Sequence, residues 1–138
     1  MITALGLVCV WVFDHDVALD FYVGKLGFKT AADMEAEGQR WVLVSPPEQP
    51  ELSVMLAVPA PPVMDEATAE IVRSLVAKGG WGTGALFTDD CRATYEELRA
   101  KSVEFVEAPH ERFYGVDAAF RDPFGNHWRL TQPLRRGP

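Results

Sequence analysis

Two stretches of this chain repeat one design at one spacing. A strand-like run at residues 5–13 leads to Asp14 or Asp16, then to Ala18, Phe21, Tyr22 and Leu26, then to Gly27. A second run at residues 84–88 leads to Asp89 or Asp90, then to Cys91, Tyr95 and Leu98, then to Ser102. The aspartates suit a helix start, where a carboxylate accepts from an N–H that the first turn leaves unpaired. The apolar residues recur at helical spacing and share one face. Gly27 stands where a helix ends in a left-handed residue, and Ser102 holds the matching position. Three strand-like runs follow each helix: from Phe28, at 39–44 and at 52–58 in the first half; at 103–106, at 113–121 (broken at Gly115) and at 126–132 in the second. Each half therefore reads strand, helix, three strands. The halves share this pattern rather than identical residues.

Proline and glycine mark the divisions. Pro46-Pro47 separates two strands, and the proline-rich residues 59–62 make a stiff connector. Asp65 or Glu66 opens a connecting helix with Ile71, Val72, Leu75 and Val76 as its apolar stripe, and Gly79-Gly80 end it. A length of 138 residues fits one domain. Its parts are a first module at 1–62, a connecting helix at 63–81, a second module at 82–133 and a tail at 134–138. The class is α+β: two βαβββ modules forming a cupped mixed sheet with helices outside. The first strand is apolar on both faces and reads as covered on both sides. Cys9 and Cys91 sit in apolar runs and read as buried thiols in a reducing cytoplasm.

A net charge of -7 argues against nucleic acid and anionic membrane surfaces, which need basic patches. No run is long and apolar enough to span a bilayer, and none reads as a secretory signal. P-loop, dinucleotide, nucleophile-elbow and zinc motifs do not occur.

The last hairpin carries the functional question. Asp122-Pro123 and Gly125-Asn126 are turn chemistry. Beyond them Trp128 and Leu130 point to one side; His127, Arg129 and Thr131 point to the other. Arg129 either binds a ligand carboxylate, phosphate or carbonyl, or pairs with an acid such as Asp117 or Glu111. His127 is a candidate acid or base, with a structural role as the alternative. His110 and Glu111 fall on a Pro-bounded loop that could rim a cleft, and His15 reads as surface. Trp11, Trp41, Trp81, Phe113 and Tyr114 either fill the core or line an apolar pocket for a planar ligand. Trp11 shares a face with Leu7, which favours the pocket there.

The ordered residues Phe13-Asp14, Ala18-Leu19-Asp20-Phe21-Tyr22, Leu26-Gly27-Phe28, Tyr95-Glu96-Glu97-Leu98-Arg99, Tyr114-Gly115 and Phe120-Arg121-Asp122-Pro123-Phe124-Gly125-Asn126 resemble the vicinal oxygen chelate superfamily. That superfamily includes glyoxalase I, extradiol dioxygenases and bleomycin- and fosfomycin-resistance proteins. The resemblance implies paired βαβββ modules, a homodimer, and a divalent metal held by His, Gln or Glu at four strand positions. The matching positions here are Leu7, Met55, Thr83 and Arg129. Leu7 has no donor atom, Met55 is a soft thioether, Thr83 is weak and Arg129 is a permanent cation. The expectation is therefore no metal, no cofactor and a small-molecule-binding protein of the sequestering branch. Its ligand would be apolar or aromatic, with an anionic or carbonyl group at Arg129, and Leu7, Trp11, Met55, Thr83 and Tyr114 would line its site. Two alternatives stand beside it. One is a metal-independent lyase or isomerase, favoured over a dioxygenase, with His127 or Glu111 as base. The other is a protein-binding module.

Overall fold

The computed structural model describes residues 1–134, so all of the expected tail except Leu134 lies outside the described residues. The chain divides into two compact units, Met1–Ser74 and Leu75 onward.

The first unit builds a four-stranded sheet in the order β1-β4-β3-β2 from β1 (Leu7–Trp11), β2 (Lys29–Ala36), β3 (Gln39–Ser45) and β4 (Ser53–Ala57). β1 and β4 run parallel and the other pairs antiparallel. Asp14 caps α1 (His15–Leu19) by accepting from the Val17 N–H at 2.9 Å. The single helix expected here widens after one turn into a π-helical stretch, Asp20–Lys25. Leu26 N–H accordingly bonds the Phe21 carbonyl five residues back. The widening keeps Ala18, Phe21 and Tyr22 all buried. They lie among the core residues Val10, Val12, Val42, Val44, Val54 and Leu56. Gly27 exits with φ +80°, as its position requires.

Only one face of this sheet is covered within the unit. Leu7 is 43% exposed and Cys9 is exposed, which corrects the expectation of a strand buried on both sides and of a buried Cys9 thiol. The apolar face that reads as core in the sequence is an open surface in the chain by itself. His15 also departs from expectation. It is half-buried, and its Nε2 lies 2.9 Å from the Leu56 carbonyl.

Asp65 caps α2 (Glu66–Ala77) by accepting from the Thr68 N–H at 2.7 Å. Of the expected stripe Val76 is fully buried and Val72 and Leu75 are half-buried, but Ile71 is 68% exposed, and Ala69, outside the stripe, is fully buried. Gly79, at φ +76°, closes the helix: its N–H bonds Val76 O and the Gly80 N–H bonds Leu75 O.

The second unit repeats the topology, with order β5-β8-β7-β6, from β5 (Gly82–Phe87), β6 (Glu104–Arg112), β7 (Gly115–Arg121) and β8 (His127–Pro133). Asp90 caps α3 (Cys91–Ala100) by accepting from the Ala93 N–H at 3.0 Å. Cys91 and Leu98 are buried and Tyr95 packs edge-on against Phe105, as the helical stripe predicts. Ser102 takes φ +66°, the left-handed exit that Gly27 provides in the first unit. β6 runs far past the expected residue 106, so His110 and Glu111 lie on a strand rather than a loop. Pro109 is tolerated because β6 is an edge strand and its register shifts between Glu107 and His110. Phe113 and Tyr114 form the β6–β7 turn instead of opening β7.

The Asp-Pro-Phe-Gly-Asn turn is a packed structural knot. Asp122 is buried; its Oδ1 accepts from the N–H groups of Phe124, Gly125 and Asn126, and its Oδ2 from the Asn126 amide. Gly125 has φ +110°, and a Cβ there would collide with the Val76 and Ala77 carbonyls at the end of α2.

Candidate functional site

Alternation along β7 and β8 puts Asp117 and Ala119, with Arg129 and Thr131, on the face of the second sheet away from α3. Asp117 is fully buried. Its Oδ2 accepts from Arg129 Nε at 2.8 Å, from Arg129 Nη2 and from the Tyr114 hydroxyl at 3.0 Å. Its Oδ1 accepts from Thr131 Oγ1 at 2.8 Å. Arg129 Nη2 also reaches Glu107 at 2.5 Å, and Arg112 stands 3.6–3.8 Å from both acids. Burial alone would push the Asp117 carboxyl up; the bonds from Arg129, Thr131 and Tyr114 outweigh it and hold Asp117 below the ordinary carboxylate range. Arg129 likewise holds Glu107 down. Burial, then the bond to Asp117, pushes the Tyr114 phenol up. The guanidinium of Arg129 is raised by the same acids, Asp117 foremost. Arg129, Arg112, Asp117 and Glu107 together carry two charges of each sign, so the cluster is electrically neutral.

The first unit offers a different surface. Cys9, Met55, Leu43 and Ala32 form one cross-strand row on its open face, flanked by Trp11 and Ala57. Beside them a depression of about 280 Å³ is lined by Trp41, Met55, Ala57, the connector residues Ala60, Pro61 and Val63, and the polar side chains of His15, Gln39 and Arg40. That volume approaches the lower end for small-molecule sites. Arg40 is already occupied: Asp33 accepts from its Nε and Nη2 at 3.0 and 2.9 Å, and Asp16 from its Nη1 at 3.0 Å. The Trp41 indole N–H bonds Ala36 O at 3.0 Å, which leaves the ring as an apolar wall.

Of the residues expected at a site, Leu7 and Trp11 lie on β1 and Met55 on β4, in one unit; Thr83, Tyr114 and Arg129 lie in the other. Arg129 and Tyr114 meet at Asp117. His127 lies opposite Arg121, and Glu111 opposite Val116 on the edge strand. Those two partners stand five residues apart on β7, about 17 Å of strand, so His127 and Glu111 do not converge. The four positions that hold a metal in related folds do not make a metal cradle: two are a hydrocarbon and a thioether, and Arg129 is locked to carboxylates. Among the described residues no group of three or more His, Cys, Asp or Glu side chains converges on a point. Glu107 and Thr131 were missed as members of the charged cluster. Asp117 was foreseen only as one of two salt-bridge partners, although an acid between Val116 and Ala118 in an apolar strand is itself a sign of a buried, partnered carboxylate.

The family profile described as "Glyoxalase/Bleomycin resistance protein/Dioxygenase superfamily" matches residues 4–130. An uncharacterized protein of Shewanella frigidimarina (strain NCIMB 400) is 35% identical over 125 residues, 88% of this chain and 87% of its own length. The crystal structure of UcmS2 superposes with a TM-score of 0.90 at 42% identity, covering 95% of this chain and 98% of that one. TnmS3, an antibiotic binding protein from Streptomyces sp. CB03234, superposes with a TM-score of 0.77 at 30% identity, covering 96% and 98%. On residues, topology and likeness together, this chain belongs to the glyoxalase/bleomycin resistance protein/dioxygenase superfamily.

Proposed function

We propose that this chain is a metal-free binding protein that sequesters a small, largely apolar, ring-containing molecule and does not transform it. The observation that carries this reading is the open apolar face of the first sheet, where Trp11, Leu43 and Met55 stand beside the depression walled by Trp41 and Pro61. Indole rings and a thioether stack on flat apolar ligands and adapt to their outline. The lack of a hard donor at Leu7 and Met55 supports a role without a metal. The likeness to an antibiotic binding protein supports sequestration of an antibiotic or a comparable metabolite. The closed pairing of Arg129 shifts the reading away from an anionic group at that residue. A homodimer in the cytoplasm is part of this reading.

The test uses N-phenyl-1-naphthylamine as a neutral ring probe. Saturable quenching of tryptophan fluorescence, a rise in Tm, and recovery of the probe unchanged are expected. Trp41→Ala should weaken binding at least about tenfold, the loss of one buried aromatic contact. No saturable binding, or conversion of the probe, would overturn the proposal.

A further inference from the structure

His15, expected at the surface, stands half-buried in the wall of the first unit's depression. Its Nε2 lies 2.9 Å from the Leu56 carbonyl. A carbonyl oxygen can only accept, so Nε2 carries the proton of the neutral ring. Nδ1 is then bare. Its lone pair is an acceptor with no partner among the described residues.

Two further polar side chains line the depression, Gln39 and Arg40. The charge of Arg40 is answered by Asp33 and Asp16. The half-buried Gln39 amide has no hydrogen bond among the described residues. The Trp41 indole N–H is given to Ala36 O. The hollow is therefore mostly apolar, walled by Trp41, Met55, Ala57 and Pro61, and its unpartnered neutral groups are one ring acceptor and one amide. All of these residues belong to the first unit.

The nearby charges decide what such a hollow accepts. Arg40 is the cation in its wall, and it faces Asp16, Asp33 and, in strand register, Glu35. A ligand carboxylate or phosphate would meet an acidic balance of charge and a lone pair at His15. An ammonium group would have to shed its water against hydrocarbon, which is costly. A neutral hydroxyl suits both open groups: its O–H donates to Nδ1, and its oxygen accepts from the Gln39 amide.

We propose that His15 Nδ1, together with Gln39, selects a neutral hydroxyl on the ring of the bound ligand. The site then takes phenol-type molecules ahead of their ethers and acids. This rests on the ring-binding function proposed above and deepens it by naming the ligand's polar group.

The experiment compares 2-naphthol with 2-methoxynaphthalene, which has the same rings and no donor, and with 2-naphthoic acid, in mildly alkaline buffer. The readouts are Kd by titration calorimetry and the nitrogen NMR signal of His15 Nδ1. 2-Naphthol should bind about fivefold tighter than the ether, the worth of one neutral hydrogen bond, and the acid should bind weakest. 2-Naphthol should also move the Nδ1 signal upfield, as accepting a hydrogen bond does to a bare ring nitrogen, and the ether should not. His15→Gln keeps an N–H for Leu56 O but lacks the ring acceptor, so it should erase the preference for 2-naphthol and leave the ether's affinity unchanged. Gln39→Leu should narrow the preference. The NMR readout on the unmodified chain keeps the proposal falsifiable should His15→Gln misfold. An unmoved Nδ1 signal at saturating 2-naphthol, or a preference that survives His15→Gln, would overturn the hydroxyl subsite. Equal binding of 2-naphthol and the ether to the wild type would overturn the subsite and leave the ring-binding function standing. 2-Naphthol that binds through His15 while neither the ether nor N-phenyl-1-naphthylamine binds would support the subsite and sink the ring-binding function.

Discussion

Arg129 donates from two nitrogens, Nε and Nη2, to a single oxygen of Asp117, an acid with no exposed surface. The same oxygen accepts from Tyr114, and the other from Thr131. Removing Asp117 leaves Arg129 with Glu107 alone and leaves Tyr114 and Thr131 without their acceptor. Asp117→Ala is expected to cost about 3–5 kcal/mol, read from urea unfolding. Thr131→Val removes one bond and should cost about 1–3 kcal/mol. If Asp117→Ala lowers stability by no more than a surface substitution, the cluster is not a structural element.

The same carboxylates set the response to acid. Asp117 and Glu107 both have folded pKa values below their ordinary ones, so the unfolded chain takes up protons first as pH falls. Their contribution is full above the unfolded values, about 4. It is lost as pH drops through the lower folded values. Stability measured between pH 6 and 2.5 should therefore fall on the acid side, and Asp117→Asn should flatten that slope. An unchanged slope in the variant would show that other carboxylates carry the acid response.

The helix caps, the apolar stripes and the exits at Gly27 and Ser102 are local, so spacing alone exposes them; the structure has each of them. The misreadings come from partners distant in sequence. Cys9 looks like core because its neighbours are apolar, yet which face is covered depends on where α1 packs. The length of β6 was hidden by Pro109, a residue that only an edge position excuses. Arg129 was legible as a charged residue on an inward-pointing face, but the choice between ligand and salt bridge needed Glu107, 22 residues away.

Gly125, the glycine of the Asp122–Asn126 turn, should resist replacement. Gly125→Ala combines a left-handed φ of +110° with a collision against the Val76 and Ala77 carbonyls. A loss of at least about 2 kcal/mol is expected in urea unfolding. Gly38→Ala is the control: φ is +75°, but nothing lies within 4 Å of the new Cβ, so only about 1 kcal/mol should be lost. Equal losses at the two sites would mean that the contact with α2 contributes nothing.

Metal content offers a direct check on the proposed function. Protein purified without chelator should carry no near-stoichiometric nickel, zinc, manganese or iron, and none of these ions should raise Tm, because binding to the folded state would stabilise it. The reason is the donor set: Leu7 and Met55 give no hard ligand, and Arg129 is bound to Asp117 and Glu107. Near-stoichiometric metal in elemental analysis would overturn the metal-free role.

Cys9 gives a reporter for the open face of the first sheet. Its thiol is exposed, opposite Met55, whereas the Cys91 thiol is buried and pushed up by desolvation. The thiolate is the reactive form, and exposure governs access to it. A disulfide reagent should therefore modify Cys9 in the folded protein and Cys91 only on unfolding, the two thiols titrating in separate phases. A ring ligand seated beside Met55 should slow the first phase and leave the second unchanged. Trp41→Ala, by weakening the ligand, should remove that protection. Protection that survives Trp41→Ala, or fast modification of both thiols in the native state, would place the ligand elsewhere or show that the face around Cys9 is not the one the ligand covers.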